Sequence, residues 1–331
     1  MVRIQDSQSW HRGSIPLSTT KRVLLIKVAL FFRYEKIGIM KHPYLRLHAG
    51  VLLAGATGLF GRLVSVAELP LVFFRVLFSA IVFALIMGMQ KKLHRMPRRH
   101  LLMIGGCGAL LSIHWVFYYG SIKAANVSIG AVCIALVGFF TAIIEPLFFT
   151  HKRISWKELL LSLIAVLGIV LIFGLDARYR LGIALGFVSS LVYTFFSLCS
   201  KKVQAETKHK SSTMLLYEFV GGVVVLAPLT PLYGLFFPDV QMMPTVRDFL
   251  LLFLFASAFT ISPFLLELQA LRSISAFTVN LSYNLEPLYT ILLAMLIFGE
   301  QSELNASFWA GVLLIVLSVV LQTLRTVRRK A

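Results

Sequence analysis

Residues 275–298 read SAFTVNLSYNLEPLYTILLAMLIF, a run of twenty-four in which Glu286 is the only charged side chain. Wound as an α-helix it spans about 36 Å at 1.5 Å per residue, enough to cross a hydrocarbon core of about 30 Å. A carboxyl group at its centre cannot snorkel to either surface, so this one stretch argues for a membrane crossing that turns a polar face inward. At 100° per residue, Asn280, Tyr283, Asn284, Glu286 and Pro287 share an arc of about 160°, while Leu281, Leu285 and Leu292 form a separate apolar stripe expected to face lipid. Pro287 is expected to free the carbonyl of Tyr283 and add an acceptor beside that polar face.

Outward from this run, nine more stretches of similar length carry few charges: 47–67, 69–90, 100–120, 125–149, 156–175, 181–200, 213–236, 247–270 and 305–324. Composition agrees: of 331 residues, 58% are apolar and 14% charged, where a soluble domain has about 45–50% and 25%. The fold class expected is an all-α integral membrane protein of ten transmembrane helices, with the lipid bilayer as its main partner. The formal charge of +18 would suggest nucleic acid in a soluble chain; here it belongs to short loops and reports topology, with no nucleic-acid partner. Nineteen Lys and Arg fall on one side of the ten spans, counting the tail after 324, against four in the alternate loops. Both termini are therefore expected in the cytoplasm, with the protein in the plasma (inner) membrane. Cys107, Cys133 and Cys199 lie inside oily runs without paired spacing, so no disulfide framework, metal site or cofactor is implied.

Residues 1–43 form a basic N-terminal extension, with seven Lys and Arg before Met40 and one short oily run at 23–32. That run is half the length of a crossing and lacks the cleavage site of a signal peptide, so a disordered tail, or a start at Met40, is expected. A basic tail, 325–331, closes the chain.

The second half echoes the first. Tyr119-Gly-Ser-Ile-Lys-Ala-Ala-Asn-Val-Ser128 aligns with Leu268-Gln-Ala-Leu-Arg-Ser-Ile-Ser-Ala-Phe277 at an offset of 149. Each is followed by an oily span, a polar turn (His151-Lys-Arg-Ile-Ser155; Gly299-Glu-Gln-Ser-Glu303) and a final span with a glycine, Gly168 or Gly311. A register stacking Glu145-Pro146 on Glu286-Pro287, offset 141, is the alternative; the turns favour 149. Residues 44–176 and 177–324 are thus expected to be five-helix repeats, and two odd-numbered units in one chain point in opposite directions. Such halves can exchange conformations and open a central cavity to either side in turn, which is alternating access.

The ninth span and its sequel, Asn284-Leu-Glu-Pro-Leu-Tyr-Thr-Ile-Leu-Leu-Ala-Met-Leu-Ile-Phe-Gly-Glu300 and Phe308-Trp-Ala-Gly-Val-Leu-Leu-Ile315, resemble the EamA-type transporters of the drug/metabolite transporter superfamily, as do Arg75 and the segment 120–125. The resemblance covers roughly residues 44–324. It departs from the family pattern at Phe139, where a proline is common, and at Lys152, where a glutamate is common. It implies a ten-helix carrier for amino acids, other metabolites or drugs.

Charges at membrane depth cost about 2.5–3.5 kcal/mol on insertion scales, so each asks for a reason. Glu145, Glu218 and Glu267 lie near the cytoplasmic ends of their spans and are expected to reach water or loop lysines. Arg62 and Arg75 lie near the outer ends, where snorkelling is available. His114 and Tyr118 sit one turn apart at the depth of Arg75. The expected substrate-binding set is Arg75, His114, Tyr118, Asn280, Tyr283, Asn284, Glu286 and Pro287. Its basic groups would hold a carboxylate or phosphate, and Glu286 an amine or a coupling proton. Gly50, Ala54 and Gly58 make a small-residue stripe for close helix packing.

A secondary transporter of a small organic metabolite, acting as exporter or exchanger, is the function expected. An intramembrane enzyme is the competing class, but the chain has no His-Glu-x-x-His, no Gly-x-Ser-x-Gly, and no Gly-Lys pair for an ATP-binding loop. Within the superfamily, carriers of phosphorylated or nucleotide sugars would show basic residues in the last two spans. None occurs there before Arg325, which favours amino-acid-like or amphiphilic metabolites.

Overall fold

A computed structural model describes residues 42–93, 95–125, 127–134, 136–149, 154–173, 180–298 and 306–328. The N-terminal extension to residue 41, the turn at 299–305 and the last three residues lie outside that set. Among the described residues all regular structure is helical. Five helices are unbroken over most of a crossing: α3 (Glu68–Met89), α4 (Arg98–Ala124), α8 (Arg180–Thr207), α9 (Ser211–Phe236) and α14 (Ala306–Arg328); α7 is described over Trp156–Phe173. Among the described residues three of the remaining expected spans are split in two: α1 (Pro43–Gly55) and α2 (Thr57–Leu63), α10 (Val246–Phe259) and α11 (Ile261–Leu271), α12 (Ala276–Ser282) and α13 (Glu286–Phe298); α5 (Val127–Ile134) and α6 (Leu136–Phe148) flank residue 135, which lies outside the described set. Segments long and apolar enough to cross a membrane are α3, α4, α8, α9 and the α10–α11 pair.

The splits have local causes. Pro263 has no N–H to give and its ring would meet the carbonyl of Phe259, so the helix breaks just before it, at Thr260, whose hydroxyl donates to the Phe255 carbonyl at 3.0 Å. Pro287 likewise cannot donate to Tyr283, and residues Tyr283–Leu285 tighten into a 3₁₀ turn. The freed Tyr283 carbonyl expected from the sequence is not available: the Glu286 N–H takes it as the turn closes. At the α1–α2 break the Gly55 carbonyl accepts from Thr290 Oγ1 at 2.7 Å, so another helix supplies the partner that lipid cannot.

Polar and apolar residues are distributed as a lipid solvent requires. Leu85, Val224 and Leu313 are each more than 60% exposed, whereas Arg75, Glu218, Asn280 and Asn284 are fully buried. Glu145 and Glu267 are also buried, so of the two outcomes expected for the three cytoplasmic-side glutamates, water or a loop lysine, the route to water is closed. Counting residues to a helix end ignores the neighbouring helices that cover it. Leu281 is another correction: it is buried in a core with Ala142, Leu161, Ala165 and Phe277 rather than facing lipid, while Leu292 is exposed. A 3₁₀ turn advances about 120° per residue, so the straight wheel drawn through Asn280 and Leu292 does not survive the break.

Close approaches use glycine. A Cβ on Gly108 would lie 1.8 Å from the Glu218 carbonyl oxygen, and one on Gly221 2.3 Å from that of Gly105, so α4 and α9 touch backbone to backbone. The Gly50–Ala54–Gly58 stripe receives α11 and α13, with Leu266 near Gly50 and Thr290 near Gly58.

The connections between helices fall into two groups that contact each other internally. In one, Ser65 N and Oγ donate to Asp248, Ala67 N donates to the Gln241 carbonyl at 3.0 Å, Tyr233 donates to Glu68 and Lys123 Nζ donates to the Val66 carbonyl. In the other, Arg99 pairs with Glu206 at 2.7 Å, His100 faces His209, Arg272 donates to the His209 carbonyl, and Arg325 approaches Glu158 and donates to Ser155.

Candidate functional site

Between these two groups of connections lies a cavity of about 30 Å³, room for one or two water molecules. Arg75 from α3 lines it and is fully buried, not snorkelling as its position near a helix end suggested. Its guanidinium lies 3.7 Å from the Trp115 ring centroid and 4.2 Å from that of Phe255, a stacked arrangement that suits the planar, weakly hydrated arginine head. Nε donates to Thr260 Oγ1 at 2.8 Å and Nη1 to the Tyr119 hydroxyl at 3.1 Å, so the α10–α11 break supplies one of its two anchors. Nη2 has no hydrogen-bond partner. Arg62, by contrast, is exposed.

His114 and Tyr118 from α4 also line the cavity. His114 Nδ1 lies 2.8 Å from Ser189 Oγ and 3.0 Å from the Ser189 carbonyl on α8, so that nitrogen is already engaged. Its ring stacks near Tyr118 and Tyr193, with centroids 6.0 and 4.6 Å away. The Tyr118 hydroxyl is buried and has no partner.

From the break in the ninth span come Tyr283 and Glu286, both on the cavity wall. Glu286 shares the wall with Thr57 and faces Arg75. Behind the wall, Glu267 Oε1 accepts from the Tyr193 hydroxyl at 2.6 Å.

The other expected site residues stand elsewhere. Asn280 donates to Thr141 Oγ1 at 2.9 Å and accepts from Ser197 at 3.1 Å, tying α12 to α6 and α8. Asn284 is buried near Gly138, its amide atoms without partners, and neither it nor Pro287 is on the cavity wall. Arg75, His114, Tyr118, Tyr283 and Glu286 are therefore brought together, while Asn280, Asn284 and Pro287 are not. The sequence reading missed Thr57, Trp115, Tyr119, Tyr193 and Phe264, which with the apolar Ala54, Ile134 and Val137 complete the wall. Hydroxyls and rings in mid-span were the available signal, but they look like ordinary packing until the helices are assembled. Among the described residues no group of three His, Cys, Asp or Glu could hold a metal ion.

Comparison with known proteins points the same way. No curated protein matches the chain. Twenty-nine chains of solved structures do. One, titled "Crystal structure of protein", superposes with a TM-score of 0.67 at 16% identity, covering 87% of this chain and 99% of its own, which establishes a shared fold. The model of the EamA-like transporter family matches twice, over residues 44–174 and 180–324. Those two matches take in nearly all of the described helices and every residue of the cavity wall, and on them the chain belongs to the EamA-like transporter family.

Proposed function

We propose that the protein is a secondary transporter of a small zwitterionic metabolite of amino-acid type, working by alternating access between two inverted five-helix repeats. The cavity carries this reading. Adding 149 takes Trp115 to Phe264, Ile134 to Tyr283 and Val137 to Glu286, and all six residues line it. A cavity built from equivalent positions of two copies lies on their pseudo-two-fold axis. The same offset takes Thr141 onto Thr290, whose hydroxyls donate to the carbonyls of Val137 and Glu286. Packing is paired too: α4 on α8 mirrors α11 on α1, and α9 on α4 mirrors α10 on α3. The group of connections that includes Arg99, Arg272 and Arg325 is the basic, cytoplasmic face by the positive-inside rule.

The halves differ where it matters for a ligand. Ile134 and Val137 are inert, whereas Tyr283 and Glu286 are polar. Arg75 Nη2 and the Tyr118 hydroxyl are buried donors awaiting an acceptor, which suits a substrate carboxylate, and Glu286 suits its amine or the coupling proton. His114 acts here by positioning Tyr118 and Tyr193. At about 30 Å³ the cavity cannot hold an amino acid, so the conformation is the contracted one between loaded states. The aromatic wall of Trp115, Tyr118, Tyr119, Tyr193 and Phe264 favours one second reading, an amphiphilic drug-like cation held by Glu286.

The test is flux into proteoliposomes of a panel of amino acids and organic cations, with and without a pH gradient. Glu286→Gln and Arg75→Lys should each slow uptake of the parent's substrate by about tenfold or more, equivalent to about 1.4 kcal/mol. If both variants carry substrate at the parent's rate, this site is wrong. Preference for cations with Arg75→Lys fully active would select the second reading.

A further inference from the structure

A second cavity, of about 320 Å³, opens on the basic face, far from the central site in composition. Its wall joins the overhanging end of α8 to the turn after α11: Lys201, Gln204 and Lys208 on one side, Leu271 and Arg272 on the other. No carboxylate lines it, and the nearest acid on α8, Glu206, is paired with Arg99. Carbonyls at the end of α11 and in the turn after it would repel an anion, but Lys201 Nζ covers one of each, bonding Leu271 at 3.0 Å and Ile274 at 2.6 Å. Lys208 ends α8 with φ of 55°, the left-handed conformation that glycine usually fills at this position, and its N–H closes on the Gln204 carbonyl. Lys208 thus lines the cavity from a backbone region that glycine could occupy without strain.

We propose that this cavity binds a phosphate-bearing anion, with Lys208 and Arg272 as its charged ligands and Lys201 as the fixed cation behind them. A cytoplasmic-leaflet lipid headgroup and a free phosphate present the same chemistry here. The proposal is independent of what the central cavity carries.

The experiment is thermal melting of the purified full chain in neutral detergent, with added phosphatidylglycerol, phosphatidylcholine or inorganic phosphate. Phosphatidylglycerol is expected to raise the melting temperature by roughly 3 °C or more over phosphatidylcholine. A shift with phosphatidylglycerol alone identifies a lipid headgroup; a shift with inorganic phosphate identifies the soluble anion. No shift with either, or an equal one with phosphatidylcholine, overturns the site. Lys208→Gly is the decisive variant, because glycine suits the backbone there. It should melt no lower than the parent without added anion, yet lose at least half of the anion-dependent shift. Arg272→Gln should lose it as well, and Arg272→Lys should keep most of it. Lys202→Gln, exposed on α8 but outside the cavity, should keep it entirely. Full shifts retained in Lys208→Gly and Arg272→Gln, or an equal loss in Lys202→Gln, overturn the assignment.

Discussion

Asn280 shows how one side chain in a transporter can look like a ligand and serve as scaffold. Its amide spans Thr141 on α6 and Ser197 on α8, in an interior where neither hydroxyl has water to turn to. Asn280→Ala should therefore cost roughly 1–3 kcal/mol of stability, the usual penalty for orphaning buried partners. Melting of the purified variant should fall accordingly, while substrate still raises its melting temperature as in the parent. Arg75 differs at the same scale. Its stacking on Trp115 and its two hydroxyl partners hold the head rigidly, and the one unmet donor is what a ligand could use.

The element that most shapes the site is the broken ninth span. Pro287 forces a 3₁₀ turn between α12 and α13, and that turn sets the angle between the Asn280 face and the Glu286 face. Pro287→Ala restores an N–H that can close the α-helical bond and removes the ring that interrupts the span; because Pro287 stands in the first turn of α13, where proline is tolerated, the change in stability should be small. The variant should melt no lower than the parent, yet transport more slowly, because a straightened helix carries Glu286 off the cavity wall. Slow flux with unchanged melting separates this geometric effect from simple unfolding; unchanged flux would show that the turn is dispensable.

At the scale of the whole molecule, two clusters of contacts tie the connections between helices together. On the basic face His100 Nδ1 and His209 Nε2 lie 3.0 Å apart, joining the start of α4 to the loop between α8 and α9. Partial burial and the facing His100 hold the His209 imidazole below the ordinary histidine range, whose centre is 6.5. The folded chain thus resists taking up this proton while the unfolded chain accepts it. The clasp contributes stability above about pH 6.5 and loses it as pH falls through that value. Melting temperatures at pH 7.5 and 5.5 should differ in the parent, with the lower value in acid, and the difference should shrink in His209→Asn. In the other cluster Asp248 both caps α10 and holds Ser65, so that cluster is tied to a helix start.

Membrane class and the doubling of the chain were legible in the sequence, because hydropathy and charge act locally and lipid leaves the backbone few choices. The residues that answer to helix packing were not. Arg75 and Glu267 looked able to reach water until Trp115, Phe255 and Tyr193 covered them. Asn280 looked like a neighbour of Glu286 until the turn at 283–285 rotated the two apart. Periodicity places side chains around one helix axis; which of those faces meets a cavity, a partner or lipid depends on how several axes break and cross, and only the assembled tertiary structure decided that.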